Sequence, residues 1–284
     1  MLSDPERKRA FWGATLRQPL SDDIREDYSS MGHIGRVLAR LRDRTRQFKK
    51  DATQKHCEFI ADLLLGECPS ILEGARDKTL VDIGCERGDT TRFFGEILGF
   101  GTLVGIERRR IIKHSTNLSR RGALFLRADC TALPIDDATA DAVFLIGVLE
   151  HLAEPEKSLL EVRRIVRPEG IAVLQVPNRF FPLEVHTFVP FGGYFPSICS
   201  FLSEKVLRTP FYTRPLSRKE TLCYLSACFE VRSVKPVWYP KRLIPSWLRP
   251  FWAIMRALQF PRIFPFAYLF VCVPKKASPG RTSS

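Results

Sequence analysis

The 284-residue sequence has no CxxC pair, although it holds eight cysteines: Cys57, Cys68, Cys85, Cys130, Cys199, Cys223, Cys228 and Cys272. Cysteines scattered through apolar strand and helix patterns read as reduced, buried small hydrophobes of a cytosolic chain rather than as a disulfide or zinc framework. The amino terminus, MLSDPERKRAFWG, lacks an apolar run of signal-peptide length, so secretion is not expected. No internal repeat or low-complexity tract is present. Acid is absent from the whole stretch between Val231 and Lys276. What the chain does have is base: 44 Lys+Arg against 31 Asp+Glu give +13, a surface suited to nucleic acid, anionic lipid headgroups or phosphorylated substrates. Its 45% hydrophobic content excludes a wholly disordered chain and allows a sizeable core in one large domain with additions, or in two small ones.

The most informative stretch runs from Thr79 to Glu107. Thr79-Leu80-Val81-Asp82-Ile83 is an apolar strand ending in the glycine turn Gly84-Cys85-Glu86-Arg87-Gly88, a helix follows to about Leu98, and Leu103-Val104-Gly105-Ile106 leads into Glu107. This strand, turn, helix, strand order predicts the first half of a doubly wound sheet, with a ligand over the carboxyl ends of the strands. An acid closing the second strand, about twenty residues after the turn, suits both hydroxyls of a ribose. A nucleoside ligand is expected.

Around this unit the chain reads in order. Residues to about Ser30 form a tail or docked arm, and 32–50 a strongly basic helix, either a solvated cover or a contact surface for an anionic partner. A second helix, about Ala52 to Leu65, puts Cys57, Ile60, Ala61 and Leu64 on one face. Further strands are expected at 123–127, 141–146, 171–176, 229–234 and 268–273. A helix from Glu156 to Val166 is stopped by Arg167-Pro168-Glu169-Gly170, and Ser217 with Glu220 has the spacing of a capping box that opens a helix to about Cys228. The aromatic, proline-rich segment after Pro177 is too long for an ordinary connection.

With VDIGCERG (81–88), GIE (105–107), ADCTALPIDDATADAVFLIGVLEHL (128–152) and VRPEGIAVLQVPN (166–178) in this order, the chain resembles the class I S-adenosylmethionine-dependent methyltransferases, and within them the type 11 group. The resemblance implies an α/β fold: a doubly wound, mostly parallel seven-stranded Rossmann-like sheet, here with N-terminal helices and a C-terminal aromatic and basic insertion. It implies S-adenosyl-L-methionine as cofactor. Gly84 and Gly88 would form the turn against its methionine end, supported by Asp82 and beside Cys85; Glu107, with Arg108 next to it, would hold the ribose. Asp129 would accept from the adenine amino group, the Cys130 amide would lie along the ring edge, and Ile146 and Gly147 would line the pocket. The implied organisation is a basic arm and helix (1–50), a cofactor-binding core (51–178), an acceptor-site lid (179–216), the end of the sheet (217–276) carrying an interfacial insertion (236–265), and a tail (277–284).

Glu86 stands where the family usually has its middle glycine, so the turn either tolerates an outward side chain or loses cofactor binding, leaving a non-catalytic scaffold. Methyl transfer from a sulfonium mainly needs alignment of acceptor and methyl, worth roughly 7–11 kcal/mol of the barrier. A base is needed only where the acceptor must lose a proton. His151 and His186 are the candidate catalytic residues, each with a structural alternative, as a capping or packing group for His151 and as a loop-structuring group for His186. The glutamate that helps related ubiquinone-pathway enzymes bind a divalent metal is replaced by Gly147, so no metal is expected.

The insertion 236–265 mixes Trp238, Tyr239, Trp247, Phe251, Trp252, Phe260 and Phe264 with Lys241, Arg242, Arg249, Arg256 and Arg262. Arg256, Pro261 and Arg262 interrupt it too soon for a spanning helix. A helix from about Ser246 to Phe260 would be a buried cover or dimer contact, an anchor at an anionic membrane surface, or a stacking platform for single-stranded RNA. The expected activity is methyl transfer to a small-molecule or lipid- or glycan-linked acceptor, a hydroxyl, in the cytoplasm or at the inner membrane surface. An RNA methyltransferase is the enzymatic alternative, less favoured because no recognisable RNA-binding module accompanies the basic charge.

Overall fold

The structure is a computed structural model that describes residues 46–108, 123–182, 193–195, 197, 201, 214–238, 249–257 and 264–275. Seven strands form one sheet: β1 (Thr79–Ile83), β2 (Thr102–Glu107), β3 (Ala123–Arg127), β4 (Ala140–Ile146), β5 (Val166–Pro177), β6 (Phe229–Val237) and β7 (Ala267–Pro274). Their spatial order is β3-β2-β1-β4-β5-β7-β6. Pairing is parallel from β3 through β5, and β7 runs antiparallel between β5 and β6. The order reverses between β1 and β4, which leaves a crevice over the carboxyl ends of the central strands.

Both faces of the sheet are covered, which is why β4 is apolar at nearly every position. On one face Val81, Val104, Val143 and Leu174 pack with Leu159, Val162 and Ile165 of α3 (Pro155–Ile165). On the other, Leu80, Phe144 and Val173 meet Cys57, Ile60 and Leu64 of α1 (Arg46–Glu67) and Phe93, Phe94 and Leu98 of α2 (Asp89–Leu98). Phe94 and Phe144 touch edge to face with ring centres 4.7 Å apart. Asp82 shares this second face, because alternate residues of a strand point the same way.

Several boundaries differ from expectation. The helix expected from Ala52 already runs from Arg46 and is continuous through Lys49 and Lys50; the basic stretch before Arg46 lies outside the described residues. The helix expected to end at Val166 ends at Ile165, and Arg167-Pro168-Glu169-Gly170 is not a turn between elements but a bulge inside β5, with Ala140 opposite Val166 and Ala142 opposite Ile171. Asp141 holds that bulge: its carboxylate accepts from Arg167 Nη1 at 2.8 Å and from the Thr79 amide at 2.8 Å. The capping box forms as expected, with Ser217 and Glu220 bonded reciprocally at the start of α4 (Arg218–Ser226). Seven cysteines are described and all are free thiols; five are buried, but Cys68 is only partly so and Cys223 is exposed. Among the described residues no helix is long and apolar enough to cross a membrane.

Candidate functional site

Backbone geometry at the end of β1 builds the site. Gly84 turns the chain at φ +75°, and its amide and that of Cys85 donate to the Ile106 carbonyl at 2.8 and 3.1 Å, locking the turn against β2. A Cβ on Gly84 would stand 2.4 Å from Val148 Cγ2, so the turn also needs glycine to let the loop after β4 approach. Gly88, at φ +80°, caps α2 and points that helix's amino terminus into the crevice.

Three carboxylates converge here. Asp82 is 2% exposed, and Thr90 Oγ1 and Thr91 Oγ1 both donate to its Oδ2 at 2.7 Å, tying the strand end to the first turn of α2. Burial pushes its carboxyl up to about 6; the two threonine bonds oppose that rise, and the charges of Glu107 and Glu86 add to it. Glu107 closes β2, and its Oε2 accepts from the Glu86 amide at 3.1 Å. Glu86 itself holds φ +47°, the left-handed conformation that a glycine would take, and its side chain is exposed.

Asp129 follows β3, and its Oδ1 accepts from the Thr131 amide at 2.9 Å and the Thr131 hydroxyl at 2.8 Å. Burial raises its pKa, but these bonds and the charges of Arg108 and Lys157 outweigh it and hold the carboxyl below its ordinary range. Cys85 and Cys130 offer backbone rather than thiol chemistry. A Cβ added to Gly105 would stand 2.9 Å from Cys85 Sγ, and burial raises both thiols, Cys130 to about 12. Ile146 and Gly147 end β4, with the Gly147 amide bonded to the Gln175 carbonyl at 2.9 Å. Arg108 is exposed and its carbonyl accepts from Arg127 Nε at 3.1 Å.

Thus Asp82, Gly84, Cys85, Gly88, Glu107, Arg108, Asp129, Cys130, Ile146 and Gly147 stand along one rim, at or just beyond the carboxyl ends of β1 to β4. His151 is exposed on the 3-10 turn Leu149–His151 at the same rim. His186 lies outside the described residues. Among the described residues no three or more His, Cys, Asp or Glu gather as a metal site.

Several groups were not anticipated from the sequence. Thr90, Thr91 and Thr131 orient the carboxylates; the Asp-x-Thr spacing at 129–131 was a readable sign of a side-chain-to-backbone turn. His56, on α1, is half-buried and bonds Gln175 of β5; desolvation pushes its imidazole down to about 4 against that bond. Nothing in the helical pattern of 52–65 marked it as more than core. Asn178, at the end of β5, anchors three segments: its amide donates to the Phe266 carbonyl, its Nδ2 to the Pro265 carbonyl, and its Oδ1 accepts from the Phe180 amide. Arg179 then ties Gly193 and Glu220 together, at 2.9 and 3.4 Å. The Arg214 amide donates to the Glu150 carbonyl at 2.8 Å, tying the residues just before α4 to the turn that carries His151.

The fit to a nucleoside sulfonium follows from these groups: backbone amides and a helix amino terminus for a carboxylate, acids for ribose, adenine and positive charge, and no phosphate-binding lysine in the turn. Comparison with known proteins agrees. The methyltransferase-domain family (type 11) matches residues 81–174. A protein of Mycolicibacterium gilvum named as an uncharacterized methyltransferase is 31% identical over 193 residues, 67% of each chain. One from Mycolicibacterium vanbaalenii, similarly named, is 26% identical over 215 residues, 73% of this chain and 78% of that one; the chain spans about half the length of other curated relatives that it matches. A solved geranyl diphosphate methyltransferase, in complex with SAM, superposes with a TM-score of 0.53 at 16% identity, covering 88% of this chain and 93% of that one, a likeness of fold. By fold, strand-end motif and sequence similarity, the chain belongs to the class I S-adenosylmethionine-dependent methyltransferases.

Proposed function

We propose that the protein transfers a methyl group from S-adenosylmethionine to a small or lipid- or glycan-linked acceptor, at a hydroxyl, on the cytoplasmic side of a membrane. When bound, that cofactor supplies an electrophilic methyl group on a cationic sulfur. The observation that carries the cofactor assignment is the carboxylate rim: Asp82 beneath the glycine turn, Glu107 at the end of β2 and Asp129 after β3 match the methionine, ribose and adenine ends in order. The left-handed Glu86, whose amide still reaches Glu107, supports a working turn over a lost one.

For the acceptor side the support is chemical. Exposed aromatics follow β5, with Phe180 40% and Phe195 59% exposed, and His151 stands on the adjoining turn. His151 would take the proton of an acceptor hydroxyl, and His186 would serve the same site. α5 (Arg249–Ala257) docks through buried Trp252, whose ring lies 4.4 Å from Trp238 and 6.2 Å from Phe181, while Ile254 is 59% exposed and Arg256 is exposed. An acid-free stretch whose helix carries an exposed apolar residue and an exposed arginine suits anionic lipid headgroups. The deciding experiment incubates the protein with methyl-labelled cofactor and a fractionated extract: label is expected in the lipid or small-molecule fraction, resistant to ribonuclease. Label that ribonuclease releases would make the protein an RNA methyltransferase instead.

A further inference from the structure

Glu86 is the residue of the cradle for which neither fold nor family pattern accounts. A glycine would hold φ +47° freely, whereas a β-carbon makes the left-handed region costly, and strain of this kind persists where surrounding structure enforces it. The enforcing contact is the bond of the Glu86 amide to Glu107 Oε2 at 3.1 Å, which fixes residue 86 between the carboxyl ends of β1 and β2. Its exposed carboxylate makes no hydrogen bond or ion pair among the described residues, and neither does the guanidinium of Arg87. Asp82, almost fully buried, is bonded only to the hydroxyls of Thr90 and Thr91 and also lacks a basic partner among the described residues. Among the described residues neither Asp82 nor Glu86 is therefore neutralised by an ion pair, although Arg87 and Arg108 stand close by in the chain. Asp82 registers the acids around it, since the charges of Glu107 and Glu86 both disfavour its ionisation.

We propose that Glu86 is a cofactor-specificity residue: its carboxylate, at the mouth of the cleft beside Asp82 and Glu107, makes the site prefer the cationic sulfonium cofactor over the neutral thioether product. The inference rests on the assignment of this cleft to S-adenosylmethionine. Cofactor and product differ by one methyl group and one positive charge, so a carboxylate carried on the hydrogen-bonded backbone of the turn discriminates between them by Coulomb attraction while leaving ribose and adenine contacts alike. Such discrimination would limit inhibition by the product and would weaken as salt rises.

The test is isothermal titration of the full chain and of Glu86→Gln and Glu86→Gly with S-adenosylmethionine, S-adenosylhomocysteine and sinefungin, whose amine supplies a positive charge without a sulfonium. Glu86→Gln should weaken the two cationic ligands about three- to tenfold and leave the neutral one within about twofold, with the difference shrinking at high salt. Glu86→Gly, which relieves the backbone, should show the same loss of preference. Equal weakening of all three ligands, or an unchanged ratio, overturns the specificity role and leaves the cofactor assignment standing. Failure of the folded wild-type chain to bind any of the three overturns both.

Discussion

Asp82 shows what the site demands of single residues. A carboxylate with both threonine hydroxyls on one oxygen is well oriented, yet burial raises its pKa from 3.8 to about 6. The native state therefore holds this proton more tightly than the unfolded chain does. Its contribution to stability is full below about pH 4 and is lost as pH rises to about 6, leaving a penalty of about 3 kcal/mol at neutral pH. Asp82→Asn keeps an oxygen for Thr90 and Thr91 while removing the charge. The variant should melt above the wild type at pH 7–8, and the gap should close as pH falls through 6 towards 4; a gap independent of pH would show that burial of charge is not the cost. His151 offers the complementary test, because it is exposed near the site instead of buried beneath it. His151→Ala should lower turnover by about 10²–10⁴-fold while cofactor affinity changes little. Unchanged turnover would remove it from the acceptor site.

At the scale of elements, the strand-turn-helix unit was legible because its signals are local: an apolar strand, glycines where φ is positive, and an acid at the end of the next strand. All ten residues expected to hold the cofactor fall at one rim for that reason. What escaped the sequence depends on contacts distant in the chain. Arg167-Pro168-Glu169-Gly170 has the composition of a helix stop, yet pairing with β4 and the salt bridge to Asp141 absorb it into β5 as a bulge. His56 looked like one polar residue on a helix, and its partner Gln175 is more than a hundred positions away on β5. The docking of α5 was illegible in the same way: an aromatic, basic helix fits a cover or a membrane anchor equally until its partners are known. Trp252, 4% exposed against Phe181 and Trp238, shows that the inner face of this helix is a cover. Trp252→Ala should cost about 3–5 kcal/mol of that docking. Hydrogen exchange should then quicken across 249–257 while β4 and the central part of β5 stay protected; uniform loosening of the sheet would mean that α5 belongs to the cooperative core instead of resting on it.

For the whole molecule, the excess of 13 positive charges sets which partners are approached but not what is bound. The inner face of α5 is accounted for by its aromatic contacts, which leaves the outer face for the membrane reading to explain. That face carries Ile254, 59% exposed, with Ala253 and Ala257 also exposed, while Arg256 is exposed one turn on from Trp252, and the charge of the molecule and of the helix has the sign that anionic lipid attracts. Electrostatics alone would bring any basic protein to such a surface at low salt, so a charge substitution is a poor discriminator. An apolar one is better. Ile254→Glu removes the residue that would enter the headgroup layer, and because the site is exposed it should leave the melting temperature nearly unchanged, within about 0.5 kcal/mol of stability. In flotation with vesicles containing phosphatidylglycerol, the wild type should rise with the lipid and the variant should do so several-fold less, a difference that persists at physiological salt where screening has removed most of the long-range attraction. Equal flotation of the two proteins would take α5 out of the contact, and a wild type that stays below the lipid would direct the search to a soluble acceptor.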